Sequence, residues 1–212
     1  LAEESDLIVS LGEWVLAQAC AVVAQPDFSR RRLRMSVNLS ARQFREDGFV
    51  PSLRALLRTT GADPTLLTLE VTEGLVIDDF DDVVSKMREL VALGVEFALD
   101  DFGTGYSSLA YLKRLPIQEL KIDRSFVSEA PTNEDDGALV EAILTVASQL
   151  GLRRLQQLAG FLGQEQRKFI GSTLDAVGEL QHDGRTQARC MGPITVLEGA
   201  AGGTDGSLGG TD

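Results

Sequence analysis

The chain alternates between two hydrophobic patterns, one typical of helices and the other of strands. Apolar residues spaced near i, i+3 and i+4 predict helices over about 11–25, 79–93 and 136–150, with a short helix before Gly61. Alternation of apolar and polar residues predicts strands at 34–39 and 66–72, and two further runs predict strands at 95–100 and 119–123. Pro26, Gly94 and Gly151 follow the three longer helices, as helix-ending residues do.

The helical patterns also predict which side chains face the core. In the first helix, Leu11, Trp14 and Val15 belong to the predicted apolar stripe, and Leu139 begins the stripe of the last helix. Asp78 or Asp79 is expected to cap the helix that follows it, because a side-chain oxygen at this position can accept a hydrogen bond from the first turn.

Four strand–helix alternations predict an α/β fold with a parallel sheet covered by helices. An open doubly wound sheet and a closed barrel both fit this order. Asn38, Glu70 and Asp100 lie at or near the carboxyl ends of three different strands, and a barrel gathers its catalytic side chains at one mouth in this way. The prediction is therefore a partial TIM-type (β/α) barrel over residues 1–152, roughly half of an eight-unit barrel of about 250 residues.

Residues 153–212 are expected to form a divergent, partly disordered tail. The last fourteen residues contain six glycines and repeat Gly-Gly-Thr-Asp at 202–205 and 209–212. A segment of this composition buries too little apolar surface to offset the entropy of ordering it, so disorder is predicted over 199–212. Two imperfect copies are weak grounds for a glycine–aspartate calcium repeat.

Composition narrows the classes of function. The net charge of −12 argues against binding a nucleic-acid polymer, which takes clustered Lys and Arg. No apolar run approaches the roughly 20 residues of a membrane-spanning helix. Cys20 and Cys190 lie far apart and fit neither a disulfide framework nor a metal site, so a reducing cytosol is the expected compartment.

The strand ends carry the candidate chemistry. Asn38, Glu70, Asp100 and Asp101 are hard oxygen donors of the kind that suits Mg²⁺ or Mn²⁺. Two adjacent aspartates repel each other unless cations hold them, which suggests a pair of metals of the kind used in phosphodiester hydrolysis. Lys121 on the next strand could orient the nucleophile or meet a phosphate. Taken singly, the aspartates could form a plain turn, and Glu70 and Lys121 could be solvated surface residues.

Four motifs, taken in order and spacing, resemble those of EAL-family phosphodiesterases. They are Ser36-Val-Asn-Leu-Ser40, Glu70-Val-Thr-Glu73, Asp100-Asp-Phe-Gly-Thr-Gly-Tyr-Ser-Ser108 and Leu120-Lys-Ile-Asp123. The resemblance implies a TIM-type barrel that opens cyclic di-GMP to linear pGpG with Mg²⁺ or Mn²⁺.

The resemblance also implies roles for individual residues. Asn38, Glu70 and Asp100 would be metal ligands, and Asp101 would serve the second metal and catalysis. Lys121 would hold the attacking water. Glu73 would steady the loop after Asp100, and the same loop would help two copies of the chain to form a homodimer.

Two family motifs are expected but not found. The Glu-Ala-Leu motif should precede Leu1, and a strand with Glu-Gly-Val-Glu, whose first Glu is the family's presumed general base, should follow Leu152. The sequence instead reads Arg153-Arg-Leu-Gln-Gln-Leu-Ala-Gly160, as a reading-frame slip, a pseudogene or an artificially joined product would give. The expected function is an EAL-type phosphodiesterase domain, inactive as this fragment. The alternative is a degenerate module that binds cyclic di-GMP or a protein partner without turnover; a different barrel hydrolase is remote.

Overall fold

The computed structural model describes residues 7–77, 79–103, 109–152 and 154–155. The nine α-helices in these ranges are α1 (Leu7–Val23), α2 (Pro26–Arg30), α3 (Ala41–Arg45), α4 (Phe49–Thr60), α5 (Glu73–Ile77), α6 (Phe80–Ala92), α7 (Leu109–Leu112), α8 (Arg124–Glu129) and α9 (Glu134–Gln149). The strands are β1 (Met35–Asn38), β2 (Leu67–Thr72), β3 (Glu96–Phe102), β4 (Glu119–Ile122) and β5 (Arg154–Leu155). The predicted disorder of 199–212 concerns residues outside the described ranges.

The five strands form one sheet in chain order, and every neighbouring pair is parallel. Each connection between strands passes through helix, as parallel strands require. The register places Asn38 opposite Glu70 and Thr72 opposite Asp100. The predicted α/β fold with four parallel strands of a TIM-type barrel is thus confirmed, and β5 is a short addition that the hydrophobic pattern did not predict.

The core lies on the helix-facing side of the sheet. Along β2, Leu69 and Val71 are fully buried in it, while Glu70 between them points to the opposite face. On β3, Phe97 is buried in the same core and contacts the ring of Phe44 from α3 edge-on. One face of the sheet is therefore apolar, and the other is free to carry polar chemistry.

Three details of the helices differ from the prediction. Trp14 and Leu11 of α1 are 61% and 50% exposed, because Leu16, Ala19, Cys20 and Val23 face the core instead. Leu139 of α9 is also exposed, and its neighbour Val140 is buried. Asp79 occupies the N-cap position of α6 in a left-handed conformation, but its side chain makes no capping hydrogen bond; Asp78 lies outside the described ranges. Within those ranges, no helix has the length and apolar character needed to cross a bilayer.

Helix α1 packs closely on α3 at Gly12. A Cβ atom added to Gly12 would overlap the side-chain amide of Gln43, a residue that is 2% exposed. We expect Gly12→Ala to lower the free energy of unfolding by about 1–3 kcal/mol, because overpacking outweighs the helix propensity that alanine adds. Urea unfolding of Gly74→Ala is the control, since nothing lies within 4 Å of a Cβ there. A Gly12→Ala chain as stable as the parent would contradict this packing.

Candidate active site

The predicted site residues meet at the carboxyl edge of the parallel sheet. Asn38 ends β1 and lies opposite Glu70 of β2, and the backbone N–H of Leu39 donates to the Glu70 carbonyl at 2.8 Å. Asp100 lies in β3 and Lys121 in β4, so four adjacent strands each contribute one polar side chain. Period-two alternation explains this, because the apolar neighbours of these residues turn to the core.

Lys121 joins the two carboxylates of this edge. Its Nζ donates to Glu70 Oε2 at 2.5 Å and to Asp100 Oδ2 at 3.2 Å. The side chains of Lys121 and Glu70 are only 15% and 8% exposed, so water screens this contact weakly. Burial by itself would lower the pKa of Lys121, but the hydrogen bonds and negative charges of Glu70 and Asp100 raise it above its ordinary value. Lys121 is therefore a firmly protonated ammonium group between two anions.

Asp101 sits in a distorted part of β3. The pairing of β3 with β4 shifts register between Leu99 and Phe102, and Asp101 adopts the left-handed conformation with φ of 54°. Its backbone N–H donates to Asp100 Oδ1 at 3.0 Å, which fixes the Asp100 carboxylate. Bulged strands re-aim side chains in this way beside functional sites. The bulge lets two consecutive aspartates serve one edge, where a regular strand would turn them to opposite faces.

The Asp101 carboxylate lies in a negative environment. Its pKa is raised above the ordinary value, first by partial burial and then by the charges of Asp100 and Asp123, while Lys121 opposes the shift. Asp123 follows β4 and accepts a hydrogen bond from the N–H of Ser125 at 2.8 Å, which caps α8. Asp123 ends the fourth motif but has no predicted role there; its position two residues before Ser125, at a helix start, is the signal that indicates a cap.

Comparison with known protein families matches residues 1–155 to the EAL domain. The chain belongs to the EAL domain family. The resemblance drawn from four motifs is confirmed by this match.

The EAL domain has curated relatives in Pseudomonas aeruginosa. The chain is 43% identical over 171 residues to the bifunctional diguanylate cyclase/cyclic di-GMP phosphodiesterase MucR. The aligned residues make up 80% of this chain and 25% of MucR. It is 39% identical over 154 residues to the cyclic di-GMP phosphodiesterase NbdA, covering 72% of this chain and 20% of NbdA. The chain thus spans a quarter or less of the length of these two relatives.

Two solved structures share the EAL fold. The PaMucR phosphodiesterase in complex with cyclic di-GMP has 41% identity and a TM-score of 0.74, over 81% of this chain and 69% of that chain. The EAL domain of Mycobacterium smegmatis DcpA has 32% identity and a TM-score of 0.72, over 86% and 88%. The first of these is itself a complex with the cyclic dinucleotide.

The oxygen donors at this edge of the EAL domain are of the chemical type that a hard divalent cation binds. Glu70 and Asp100 lie on neighbouring strands and already share one cationic partner, the Lys121 ammonium group, and the amide of Asn38 ends the strand beside Glu70. Carboxylate and amide oxygens are the ligands that Mg²⁺ and Mn²⁺ take. Among the described residues, however, no three His, Cys, Asp or Glu side chains converge closely enough to enclose a metal by themselves. A cation here needs further oxygen ligands from water or a phosphate, as Mg²⁺ commonly has.

Glu73 follows the last residue of β2 in the chain. It is the first residue of α5, directly after β2, and its side chain is buried in the EAL domain. The loop that it is predicted to steady continues from Asp100 through residues 104–108, which lie outside the described ranges. The role of Glu73 and the homodimer predicted through this loop stay predictions.

Proposed function

We propose that the chain is an EAL-type phosphodiesterase domain whose site acts on cyclic di-GMP by metal-dependent hydrolysis to linear pGpG. The observation that carries the proposal is the contact of one ammonium group, Lys121, with two carboxylates from adjacent strands, Glu70 and Asp100. Membership of the EAL family and similarity to cyclic di-GMP phosphodiesterases support the choice of substrate.

The proposed ligands divide between two cations. Asn38, Glu70 and Asp100 would hold one Mg²⁺ or Mn²⁺, and Asp101 would serve a second. When bound, such a pair offsets the charge of a phosphodiester and lowers the pKa of water. The carboxylate character of three of the four residues supports this division, since an acidic site needs cations to accept a dianionic substrate.

Lys121 has a role of its own in the proposal. As a fixed ammonium group it can donate to a water molecule or to a non-bridging phosphate oxygen at the same edge, and thereby orient the group. Its contacts with Glu70 and Asp100 restrain the lysine chain before substrate arrives, which lowers the entropy lost on binding. The Asp101 carboxylate has a raised pKa and is more exposed than Lys121, and it is the proposed catalytic partner of this lysine.

We also propose a barrel segment over residues 1–152 and a divergent region over 153–212, with the two residues of β5 just beyond that boundary. Glu73 would steady the loop after Asp100, and two copies of the chain would associate through this loop.

A second candidate function is a binding module without turnover. It is favoured by the segment Arg153–Gly160, which contains no carboxylate although the family resemblance implies a general-base glutamate there. Such a module would hold cyclic di-GMP or a protein partner through the same polar edge of the sheet.

Metal-dependent binding tests what both candidates share. We expect the chain to bind cyclic di-GMP at least about tenfold more tightly with Mn²⁺ than with a chelator, and Asp100→Asn to abolish this difference, because the substitution removes a proposed ligand. Isothermal titration calorimetry measures both affinities. Asp81→Asn is the matched control, since Asp81 is 85% exposed and pairs with Arg114 on the surface. The proposed metal site would be refuted if the affinity did not depend on Mn²⁺, or if Asp100→Asn left this dependence unchanged.

A further inference from the structure

A cavity of about 540 Å³ lies at the amino edge of the sheet, opposite the edge that carries Lys121. Its lining residues precede or begin the strands: Arg34 comes just before β1, Leu66 just before β2, Glu96 begins β3 and Gln118 comes just before β4. Pockets that hold small molecules have volumes of about 300–1,000 Å³. The cavity is therefore large enough for a small organic ligand, at a place separate from the proposed phosphodiester chemistry.

The cavity has an excess of positive charge, although the net charge of the chain is −12. Its charged lining consists of two guanidinium groups, those of Arg32 and Arg34, and one carboxylate, that of Glu96. Arg34 is already neutralised, because its Nη2 forms an ion pair with Glu96 and also donates to Thr68 Oγ1 at 3.3 Å. Arg32 is exposed and has no carboxylate partner among the described residues. One guanidinium group is therefore available to an anion.

Arg32 adopts a left-handed conformation that glycine usually supplies. Its φ is 50°, at the turn from α2 into β1. The N–H of Arg32 donates to the Ser29 carbonyl at 3.0 Å, and the N–H of Leu33 donates to the Phe28 carbonyl at 3.3 Å. This pattern closes the carboxyl end of a helix, where the left-handed residue is most often glycine because a Cβ atom is strained there. An arginine in this place costs stability, and the guanidinium group that it brings to the cavity offsets that cost with a binding role.

Much of the remaining lining is apolar, and part of it is fixed in position. Leu66 and Val95 are buried. The Gln118 side chain is held at both ends of its amide, because its Oε1 accepts from the N–H of Phe97 at 2.8 Å and its Nε2 donates to the Pro116 carbonyl at 3.1 Å. A wall that is formed before the ligand arrives loses little entropy on binding. The lining therefore suits a ligand with an apolar body.

We propose that this cavity binds a small organic anion, with a carboxylate or phosphate group on Arg32 and an apolar body against Leu66 and Val95. The planar guanidinium group donates two parallel hydrogen bonds to either kind of oxyanion, which is why the two share one site. None of the proposed catalytic or metal-binding residues lines the cavity, so the inference does not depend on the proposed function.

Calorimetry with phenyl phosphate and with benzoate on the full chain tests the site and distinguishes the two oxyanions. The buffer contains a chelator, because without divalent cations the carboxylates around Lys121 repel both probes. We expect one molecule of the better probe to bind per chain. Benzyl alcohol, which has the ring but no charge, should bind at least about tenfold more weakly, since hydrogen bonds to charged groups contribute at least this factor.

Arg32→Gly separates a binding role from a structural one. The variant should bind the better probe at least about tenfold more weakly, because the guanidinium group is gone. Its melting temperature should be equal to that of the parent or higher, because glycine takes the left-handed conformation without strain. Arg31→Gln is the matched control: Arg31 is the exposed neighbour, has φ of −77° and does not line the cavity, so its loss removes the same charge and should leave the affinity unchanged.

Four outcomes would overturn the anion site. The first is no binding of either probe, and the second is equal affinity of Arg32→Gly and Arg31→Gln for the better probe. The third is binding of benzyl alcohol or inorganic phosphate as tight as that of the better probe, since the charge or the apolar wall would then contribute nothing. The fourth is a lower melting temperature of Arg32→Gly, which would assign the arginine to the structure of the turn. Metal-dependent binding of cyclic di-GMP is measured separately, so none of these results bears on the proposed function.

Discussion

Lys121→Met is expected to lower the free energy of unfolding by about 3 kcal/mol, and the melting temperature by roughly 6–12 °C. The substitution leaves the carboxylates of Glu70 and Asp100 facing each other without the ammonium group that now contacts both. Breaking a buried ion pair from one side costs more than the pair is worth, because a charge remains unpaired away from water. Urea and thermal unfolding measure the loss.

The control for this experiment is Lys113→Met, an exposed lysine outside the site, which should change stability by no more than about 0.5 kcal/mol. The double variant Glu70→Gln with Lys121→Met should regain part of the loss, because it also removes one of the stranded charges. If Lys121→Met and Lys113→Met unfold alike, the contacts of Lys121 contribute nothing to stability.

Turnover of cyclic di-GMP by this chain is expected to be lower than that of the PaMucR phosphodiesterase, assayed beside it, by a factor of about 10² or more. General-base assistance contributes on the order of 10²–10⁴ in rate, and Arg153–Gly160 carries no carboxylate to provide it. The Glu-Ala-Leu motif, whose glutamate the family resemblance makes a metal ligand, does not occur among the 212 residues either. Product formation with excess Mn²⁺ is the measurement, with Asp100→Ala as the reference without activity.

Clear activity that disappears in Asp100→Ala would make this prediction wrong. Another carboxylate would then have to act as the base, and Glu165→Gln and Glu179→Gln would identify it. Equal and negligible rates in the chain and in Asp100→Ala, with metal-dependent binding retained, favour the binding module.

The sequence predicts the sheet well because period-two alternation specifies the face of each side chain, and because the carboxyl ends of parallel strands meet at one edge. Asn38, Glu70 and Asp100 were placed at one edge by this argument, and they lie there. The contact of Lys121 with two carboxylates could not be predicted, because a pattern of faces contains no information on rotamers. The bulge at Asp101 was also beyond the pattern, since it depends on how β3 pairs with β4.

Helix α1 has a buried face that the sequence pattern does not identify. Apolar residues occur around most of its circumference, so the sequence offers more than one possible stripe, and packing selects the one with Cys20 and Val23. Trp14 was assigned to the core because it is large and apolar, although tertiary contact decides the question. Strand β5 was missed because two residues, one of them an arginine, form no recognisable alternation.

The sheet order has a consequence for how the site assembles during synthesis. Each strand pairs with the strand that precedes it in the chain, so Glu70 and Asp100 can be brought to one edge before Lys121, 51 residues after Glu70, has left the ribosome. The nascent site is an anionic pair first, and its ammonium group is the last of the three side chains to be added. Translation through β4 therefore supplies the ammonium group that offsets part of the negative charge at this edge, and a polypeptide halted before it would expose two carboxylates without this partner.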